Sequence, residues 1–550
     1  MSWSASRFAR RRSAMIAGLV VLLGLGLASP ALADSGNGPS APGHSQLQPG
    51  NLLVSRSVYQ NDSGIVAGTT QLPAGCVTGC TPAVADGTYP EVFNNDTVDP
   101  SFGITSEALL DQITPSGSLV NTIEVPNSTQ QGVPATADQM VTSFSSKSEM
   151  ALNLSTDGQQ VTFMGYAAPV GALDVSNSNT PGAIDPTNPV PGAYYRVVAQ
   201  LDSNGKFRFT ETNAYSGNNG RAAILSNQGG ADLLYTAGNA GNGANPQPEG
   251  VVLGAGAQLL KPQVKAMVAQ KPGPPTPVGS FNINQLGAPA DKIGKDDNFR
   301  GMTISNNVLY FTKGSGSNGV DTVYFLDTTG TACPSGVGLP VPGALLPTSA
   351  LAYDASVGLT PNNMCILKGF PTTLAKKSTN SFPFGIWFAN ANTLYVADEG
   401  DGTNTFAGGE YTDAAGQTTA GLQKWVFSSG TWKRAYTLQN GLQLGQPYIV
   451  PNYPTGNNPA TGLPWAPGTD GLRNITGRVN PDGTATIWAV TSTVSGNGDQ
   501  GADPNKLLAV TDTLTATSPG SEAFVPVKAA GYGEVLRGVS FTPGTSSRGD

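Results

Sequence analysis

Apolar and small polar residues alternate over short stretches along most of the chain. A period of two residues is typical of β-strands, and the longer period of amphipathic helices is nearly absent after the first 33 residues. The clearest example lies between Gly471 and Thr513, where LRNITGRV, TATIWAVTSTV and KLLAVTDT are separated by a tight NPDG turn and an acidic, glycine-rich loop. We therefore predict three consecutive strands in this stretch.

A strand like the first of these recurs along the chain. Six such cores, MALNLS, RAAILS, RGMTIS, FGIWFA, RNITGR and RGVSFT, begin at Met150, Arg221, Arg300, Phe384, Arg473 and Arg537. Each of the first five is followed by a short turn and a second strand, as in VLYFTKG or TLYVADEG. The sixth core lies near the end of the sequence, and its second strand is available at the other end as NLLVSRSVY, from Asn51.

This repeat predicts an all-β fold, a six-bladed β-propeller closed by N- and C-terminal strands that share one blade. Such closure leaves no edge strand exposed. Seven blades and a pair of β-sandwiches are the alternatives, whereas a β-helix would need a shorter and stricter period.

The strand cores, the repeated short turn and the split first blade resemble those of secreted NHL-like and gluconolactonase-like six-bladed propellers. The resemblance covers residues 51–543 and implies the same ring-shaped fold. The metal-binding and catalytic residues of those families do not match this sequence position by position, so no site is implied by it.

The first 33 residues have the pattern of a signal peptide. RFARRR is a basic segment, AMIAGLVVLLGLGLA is apolar, and Ala31-Leu32-Ala33 is a small-residue cleavage site. The apolar run is too short to favour a membrane anchor, so we expect a secreted protein, extracellular or periplasmic. We expect residues 34–50 to be a disordered linker, 51–543 a single propeller domain and 544–550 a disordered tail.

The four cysteines fit an oxidising compartment. Four cysteines allow three pairings, and we predict Cys76–Cys80 and Cys333–Cys365 because each pair closes one long insertion. Zinc binding is the alternative, but no histidine accompanies the cysteines and CVTGC lacks the second pair that zinc needs.

Charge and composition exclude several functions. The net charge of −8 and the lack of a basic stripe exclude nucleic acid as a partner. The only histidine, His44, lies in the expected linker, which excludes Ser-His-Asp, Cys-His and His-metal mechanisms. No glycine-rich phosphate loop is followed by a helix. Carboxylate, tyrosine, lysine and arginine chemistry remains.

In a propeller the first strand of each blade lines the central channel, and its first residue lies at the rim of one mouth. That residue is an arginine in four units, namely Arg221, Arg300, Arg473 and Arg537. Converging guanidinium groups would bind a carboxylate or phosphate. We expect the long loops 60–106, 165–193, 237–250, 313–320, 398–420 and 495–505 to surround this mouth. Alternatively, each arginine pairs with a carboxylate of the adjacent blade and locks the blades together.

Two of these loops are acidic and are candidate Ca²⁺ sites. Asp398 and Asp401 lie in one loop, and Asp499 and Asp503 lie in the other. Calcium prefers six to eight oxygen ligands, although the DxDxDG spacing is absent here. The alternative is that these residues cap solvated turns.

Tyr166 and Tyr235 follow the second strands or lie in them, near the same mouth. We predict that they stack on a sugar ring.

Three functions remain. The first is a monomeric, non-enzymatic propeller that binds an extracellular ligand, either an anionic glycan, a carboxylate or a protein, and the lack of any catalytic motif favours it. The second is a carbohydrate-active hydrolase or lyase that uses Asp, Glu and Arg. A sialidase-like arrangement is one form of it, but SSGTW at Ser428 lacks the aspartate of the SxDxGxTW box. The third is a structural envelope protein.

Overall fold

Six small, mainly antiparallel sheets surround a common axis, which confirms the predicted six-bladed β-propeller. The computed structural model describes residues 46–59, 64–72, 81–83, 103–127, 139–144, 146–181, 190, 192–228, 232–239, 256–262, 277–279, 298–315, 319–348, 364–375, 381–497 and 500–545. The predicted signal peptide, most of the predicted linker, the predicted Cys76–Cys80 pair and Asp499 lie outside these residues.

The strands are numbered in chain order. Blade 1 contains β1 (Leu52–Val58), β4 (Thr105–Ile113), β5 (Leu119–Glu124) and β6 (Thr142–Ser143), and its β1–β4 connection carries the hairpin β2 (Gln71–Leu72) and β3 (Thr81–Pro82). Blade 2 contains β7 (Asn153–Leu154), β8 (Gln160–Tyr166), β9 (Arg196–Asp202) and β10 (Phe207–Thr212). Blade 3 contains β11 (Gly220–Ser226), β12 (Leu233–Gly238), β13 (Ala257–Leu260) and β14 (Pro277–Gly279).

Blade 4 contains β15 (Met302–Ser305), β16 (Val308–Lys313), β17 (Thr322–Leu326), β18 (Val337–Gly338) and β19 (Met364–Leu367). Blade 5 contains β20 (Pro383–Asn390), β21 (Thr393–Asp398), β24 (Gly421–Ser428) and β25 (Thr431–Leu438), and its β21–β24 connection carries β22 (Phe406–Ala407), β23 (Glu410–Tyr411) and helix α1 (Thr412–Gly416). Blade 6 contains β26 (Gly468–Val479), β27 (Thr484–Val494), β28 (Lys506–Thr513) and β29 (Val525–Ala529).

Helical structure is scarce in the described residues. Besides α1 there are two 3₁₀ turns, Val175–Asn177 and Gln500–Ala502. In this part of the chain no helix has the length and apolar character needed to cross a membrane.

The two ends of the chain close the ring in blade 1. Strand β30 (Glu534–Phe541) pairs with β1, and the sheet order is β30, β1, β4, β5, as the split first blade predicted. Leu52 lies opposite Phe541 and Val54 lies opposite Val539. Because this antiparallel ladder joins residues from opposite ends of the sequence, opening the ring requires breaking a whole row of main-chain hydrogen bonds.

Neighbouring innermost strands approach each other backbone to backbone. The second residue of every repeated core is small or short: Ala151, Ala222, Gly301, Gly385, Asn474 and Gly538. A Cβ atom on Gly385 would lie 2.4 Å from the carbonyl oxygen of Arg473, and one on Gly538 would lie 2.4 Å from that of Met150. These distances leave no room for a side chain at Gly385 and Gly538, so the close approach of the inner strands at these two positions depends on glycine.

Blade 4 carries the predicted disulfide between Cys333 and Cys365. The bond ties the segment after β17 to β19, and Val337 of β18 pairs in parallel with Ile366 of β19. The long insertion therefore adds a fifth strand to this sheet.

We expect the Gly385→Ala variant to lower the free energy of unfolding by about 2 kcal/mol, because the added methyl group must push two inner strands apart. The control is Gly416→Ala at the end of α1, where an added Cβ meets no atom within 4 Å. Chemical denaturation of both variants tests this. Equal stability of the two variants would contradict the packing argument.

Candidate functional site

A short segment, Ser146–Met150, lies across one mouth of the ring and is called the mouth segment here. Arg537 of blade 1 donates a hydrogen bond from Nη1 to the carbonyl oxygen of Ser146. Arg300 of blade 4 donates from Nη1 to Oγ of Ser148. Blades 1 and 4 face each other across the ring, so guanidinium groups from opposite sides reach residues only two positions apart. These two predicted arginines therefore converge on the axis.

Glu149 anchors the mouth segment. Its side chain is fully buried, and its Oε2 accepts hydrogen bonds from Thr142 Oγ1 at 2.8 Å and from the Ser143 amide at 3.1 Å. Its Oε1 accepts a hydrogen bond from the hydroxyl of Tyr166. The next residue, Met150, has a φ of 60°, a left-handed conformation that is strained for a residue with a side chain. The anchored carboxylate and this turn fix the path of the segment.

Arg221 is a buried cation with only neutral partners. It is 4% exposed. Its Nε donates to Asn219 Oδ1 at 3.0 Å, and its Nη1 donates to Asn298 Oδ1 and to the carbonyl oxygen of Phe299. Nη2 makes no hydrogen bond with the described residues. Burial, together with the positive charge of Arg300, holds the pKa of Arg221 well below its usual value. An anion beside this side chain would reverse that effect.

Arg473 has a counter-ion, unlike Arg221. Its Nε lies 3.1 Å from Oε2 of Glu399, and both side chains are largely buried. Glu399 follows β21 of blade 5, and Arg473 belongs to β26 of blade 6. This is the interblade ion pair that the alternative interpretation of the arginines describes, so Arg473 joins two blades.

The carboxylate of Asp398 is fully engaged within the protein. It accepts hydrogen bonds from Ser381 Oγ, the Phe382 amide and Gln423 Nε2, each at 2.9 Å, and from the Gly400 amide at 3.1 Å. Burial raises the pKa of Asp398 to about 6 in spite of these donors. A cation would have to compete with them for the same oxygens.

The other predicted calcium ligands are placed differently. Asp401 is exposed and accepts a hydrogen bond from the Thr403 amide at 2.8 Å. Asp503 is buried and accepts one from the hydroxyl of Tyr453 at 2.9 Å, and burial raises its pKa to about 6. Asp499 lies outside the described residues.

The acidic loops do not bring three of these carboxylates together in the described part of the chain. The side chains there that lie close enough together to hold a metal ion are those of Asp327, Cys333 and Cys365, whose ligand atoms lie within 4.8 Å of one another. Its two sulfur atoms are bonded to each other. Calcium binding by the acidic loops stays a prediction.

Tyr166 and Tyr235 lie in the interior and not on the surface of the mouth. They are 0% and 1% exposed. The guanidinium of Arg196 lies 5.3 Å from the Tyr166 ring centroid, and the hydroxyl of Tyr235 donates to the carbonyl oxygen of Pro347. In this structure neither ring is accessible for stacking on a sugar.

Asp470 was missed by the sequence analysis. It lies three residues before Arg473 and is 2% exposed. Its oxygens accept hydrogen bonds from the Gly402 amide at 2.9 Å and from Gln417 Nε2 at 2.8 Å. Burial, with the nearby charges of Asp401 and Glu399, raises the pKa of Asp470 to about 8. The only sequence signal is its place just before a repeated core, which does not distinguish it from a turn residue.

The axis behind the mouth holds a narrow cavity. Its lining residues are Ala151, Leu152, Asn153, Gly301, Met302, Gly385, Ile386, Asn474 and Ile475. None of these is ionisable. This cavity therefore offers no charged side chain to a ligand.

Comparisons with known proteins do not identify a family. No family model and no curated protein matches the chain. A solved structure titled "NanB plus Optactamide" aligns with 84% of this chain and 49% of that chain, at 8% sequence identity and a TM-score of 0.15. This chain thus spans about half the length of that structure. A likeness of this size carries no functional argument, so the function has to be argued from the site.

We expect Arg473→Met to lower the free energy of unfolding by about 3 kcal/mol, because the change leaves Glu399 buried without a counter-ion. The double variant Arg473→Met/Glu399→Leu should recover most of this loss. Arg434→Met, at an exposed position of β25, is the control and should leave stability unchanged. Denaturant titration measures all three. Wild-type stability in the single variant would show that the pair does not hold the blades together.

The raised pKa of Asp470 predicts a pH dependence of stability. Its pKa changes from an ordinary 3.8 to about 8, so the folded state keeps a proton that the unfolded state releases. The contribution of Asp470 to stability is therefore present at low pH and is lost as the pH rises through the pKa of this group in the folded state. Asp398 and Asp503 share this sign but titrate near pH 6.

The free energy of unfolding should therefore decline less between roughly pH 6.5 and 8.5 in Asp470→Asn than in the wild type. Denaturation at several pH values measures this decline. The exposed control Asp413→Asn should keep the wild-type slope. An unchanged slope in Asp470→Asn would contradict the assignment.

Proposed function

We propose that this protein binds an anionic ligand, a carboxylate such as that of an acidic sugar, at the mouth where Arg221 and Arg300 converge. The observation that carries the proposal is the state of Arg221, which is 4% exposed and donates only to neutral acceptors. A buried cation with no directly paired carboxylate is unfavourable by roughly several kcal/mol, and a bound anion offsets part of this penalty.

The neighbouring arginine supports the same conclusion. The charge of Arg300 contributes to the lowered pKa of Arg221, so the two positive charges act on a common space. An anion placed between them relieves their repulsion, and the planar fork of arginine matches the two oxygens of a carboxylate. Glu399 already neutralises Arg473, and Arg537 holds the backbone of the mouth segment. The proposal therefore rests on Arg221 and Arg300 and not on all four predicted arginines.

The groups beside Arg221 suit a sugar. Asn219 and Asn298 place side-chain amides next to the guanidinium. Amides can donate to and accept from hydroxyl groups, which suits the remaining atoms of a uronic acid. The pattern of the first 33 residues, which resembles a signal peptide, supports a ligand that is extracellular or periplasmic.

An acidic-glycan hydrolase or lyase is the second candidate, and Asp470 is the observation that favours it. With a pKa of about 8 this carboxyl group keeps its proton at neutral pH, and the carboxyl group of Glu399 lies near enough to contribute to the shift. A protonated carboxyl group next to a second one is an arrangement that acid–base catalysis uses.

The test is an array of acidic and neutral glycans, followed by calorimetric titration of each glycan that binds. We expect the wild type to retain carboxylated glycans, and Arg221→Met to weaken their affinity roughly tenfold or more, since a charge-assisted hydrogen bond is lost. Arg208→Met, at an exposed position of β10, should bind like the wild type. The Arg221→Met variant should still fold, because removing the guanidinium group leaves no buried carboxylate without a hydrogen-bond partner.

Two outcomes would contradict anion binding: equal retention of neutral and acidic glycans, or an unchanged affinity in Arg221→Met. Product analysis of each bound glycan separates the two candidates. Chain cleavage by the wild type that is absent in Asp470→Asn would favour the enzyme, and intact glycan would favour the binding protein.

A further inference from the structure

Lys147 is the one residue of the mouth segment that is not buried. Ser146 and Ser148 are 6% and 2% exposed, Glu149 and Met150 are fully buried, and Lys147 is partly exposed. The residues on both sides of it are held by arginines from opposite blades. The backbone of Lys147 is therefore fixed at the centre of the mouth, and its side chain is the part of the segment that solvent or a ligand reaches.

The ammonium group of Lys147 has no partner among the described residues. The two fully buried lysines are paired, by contrast: Lys313 lies 2.6 Å from Asp321, and Lys424 lies 3.0 Å from Asp512. Glu149, the residue nearest in sequence with a negative charge, has a buried side chain and already accepts four hydrogen bonds. The charge of Lys147 is thus available at the mouth.

We infer that Lys147 is a second anion-binding residue of the mouth, so that the ligand carries at least two carboxylates, as a short oligouronide does. This inference rests on the proposed function and extends it from one anionic group to two. Arg221 would bind one carboxylate at the rim, and Lys147 would bind the carboxylate of a neighbouring sugar unit above the axis.

Pre-organisation distinguishes Lys147 from an ordinary solvated lysine. Arg537 and Arg300 hold the backbone on either side, and the left-handed turn at Met150 fixes the end of the segment. Little backbone entropy remains to be lost when a ligand binds there. The flexible stem of lysine carries a point charge, which can follow a carboxylate whose position varies between sugar units.

The experiment compares galacturonate with its trimer by calorimetric titration against five proteins: the wild type, Lys147→Met, Lys147→Arg, Lys206→Met and Arg221→Met. We expect the wild type to bind the trimer more tightly, and Lys147→Met to lower trimer affinity roughly tenfold while leaving monomer affinity unchanged. Lys147→Arg should keep the trimer affinity within a few-fold of the wild type. Lys206→Met, exposed in the β9–β10 turn, is the matched control and should change neither affinity.

The possible results separate this inference from the function on which it rests. If Arg221→Met weakens both probes but Lys147→Met weakens neither, Lys147 is not a binding residue and anion binding stands. Equal weakening of monomer and trimer by Lys147→Met would place Lys147 on the same carboxylate as Arg221 and overturn the two-anion ligand. If the wild type binds neither probe, both the inference and uronate binding fail.

Discussion

The close approach of neighbouring inner strands is the constraint on which the rest of the molecule depends. At Gly301 and Gly538 the main chain of the next blade lies where a side chain would otherwise be. This contact sets the diameter of the ring. Since the residue before each of these small residues occupies the rim, the same contact brings Arg300 and Arg537 within reach of one short segment. The architecture and the charged mouth thus share one physical cause.

Buried charges between neighbouring blades are paired with opposite charges, whereas the buried charge of Arg221 at the central axis is not. Between blades 5 and 6, Lys424 pairs with Asp512, which also accepts hydrogen bonds from Tyr395 and Tyr436. Such saturated pairs bury charge with little net effect on stability. Arg221 at the axis has only neutral acceptors, an arrangement that selection for stability alone disfavours. Local departures from good packing and pairing of this kind are typical of functional positions, and this contrast is the main reason to place binding at the mouth.

Alternation and the recurring strand starts were sufficient to predict the ring and the split blade, because the same local pattern repeats along the chain and its missing second strand stands at the other end. The Cys333–Cys365 bond could be predicted because the pair closes one long insertion. The same alternation could not place Tyr166 and Tyr235. In a propeller both faces of each sheet pack against neighbouring blades, so a period of two residues does not say which side is exposed. The position of the mouth segment could not be predicted from the sequence for another reason. Ser146 is held by Arg537, which lies 391 residues away along the chain.

The protonation of the acidic residues allows a positive mouth on a chain whose net charge is −8. Glu399 is neutralised by Arg473, and Asp470, with a pKa of about 8, carries no charge at neutral pH. The seam between blades 5 and 6 therefore carries less negative charge at neutral pH than its acidic residues suggest, although the charge of Glu399 still acts on Arg221. At higher pH Asp470 ionises, which adds a negative charge to the seam between blades 5 and 6.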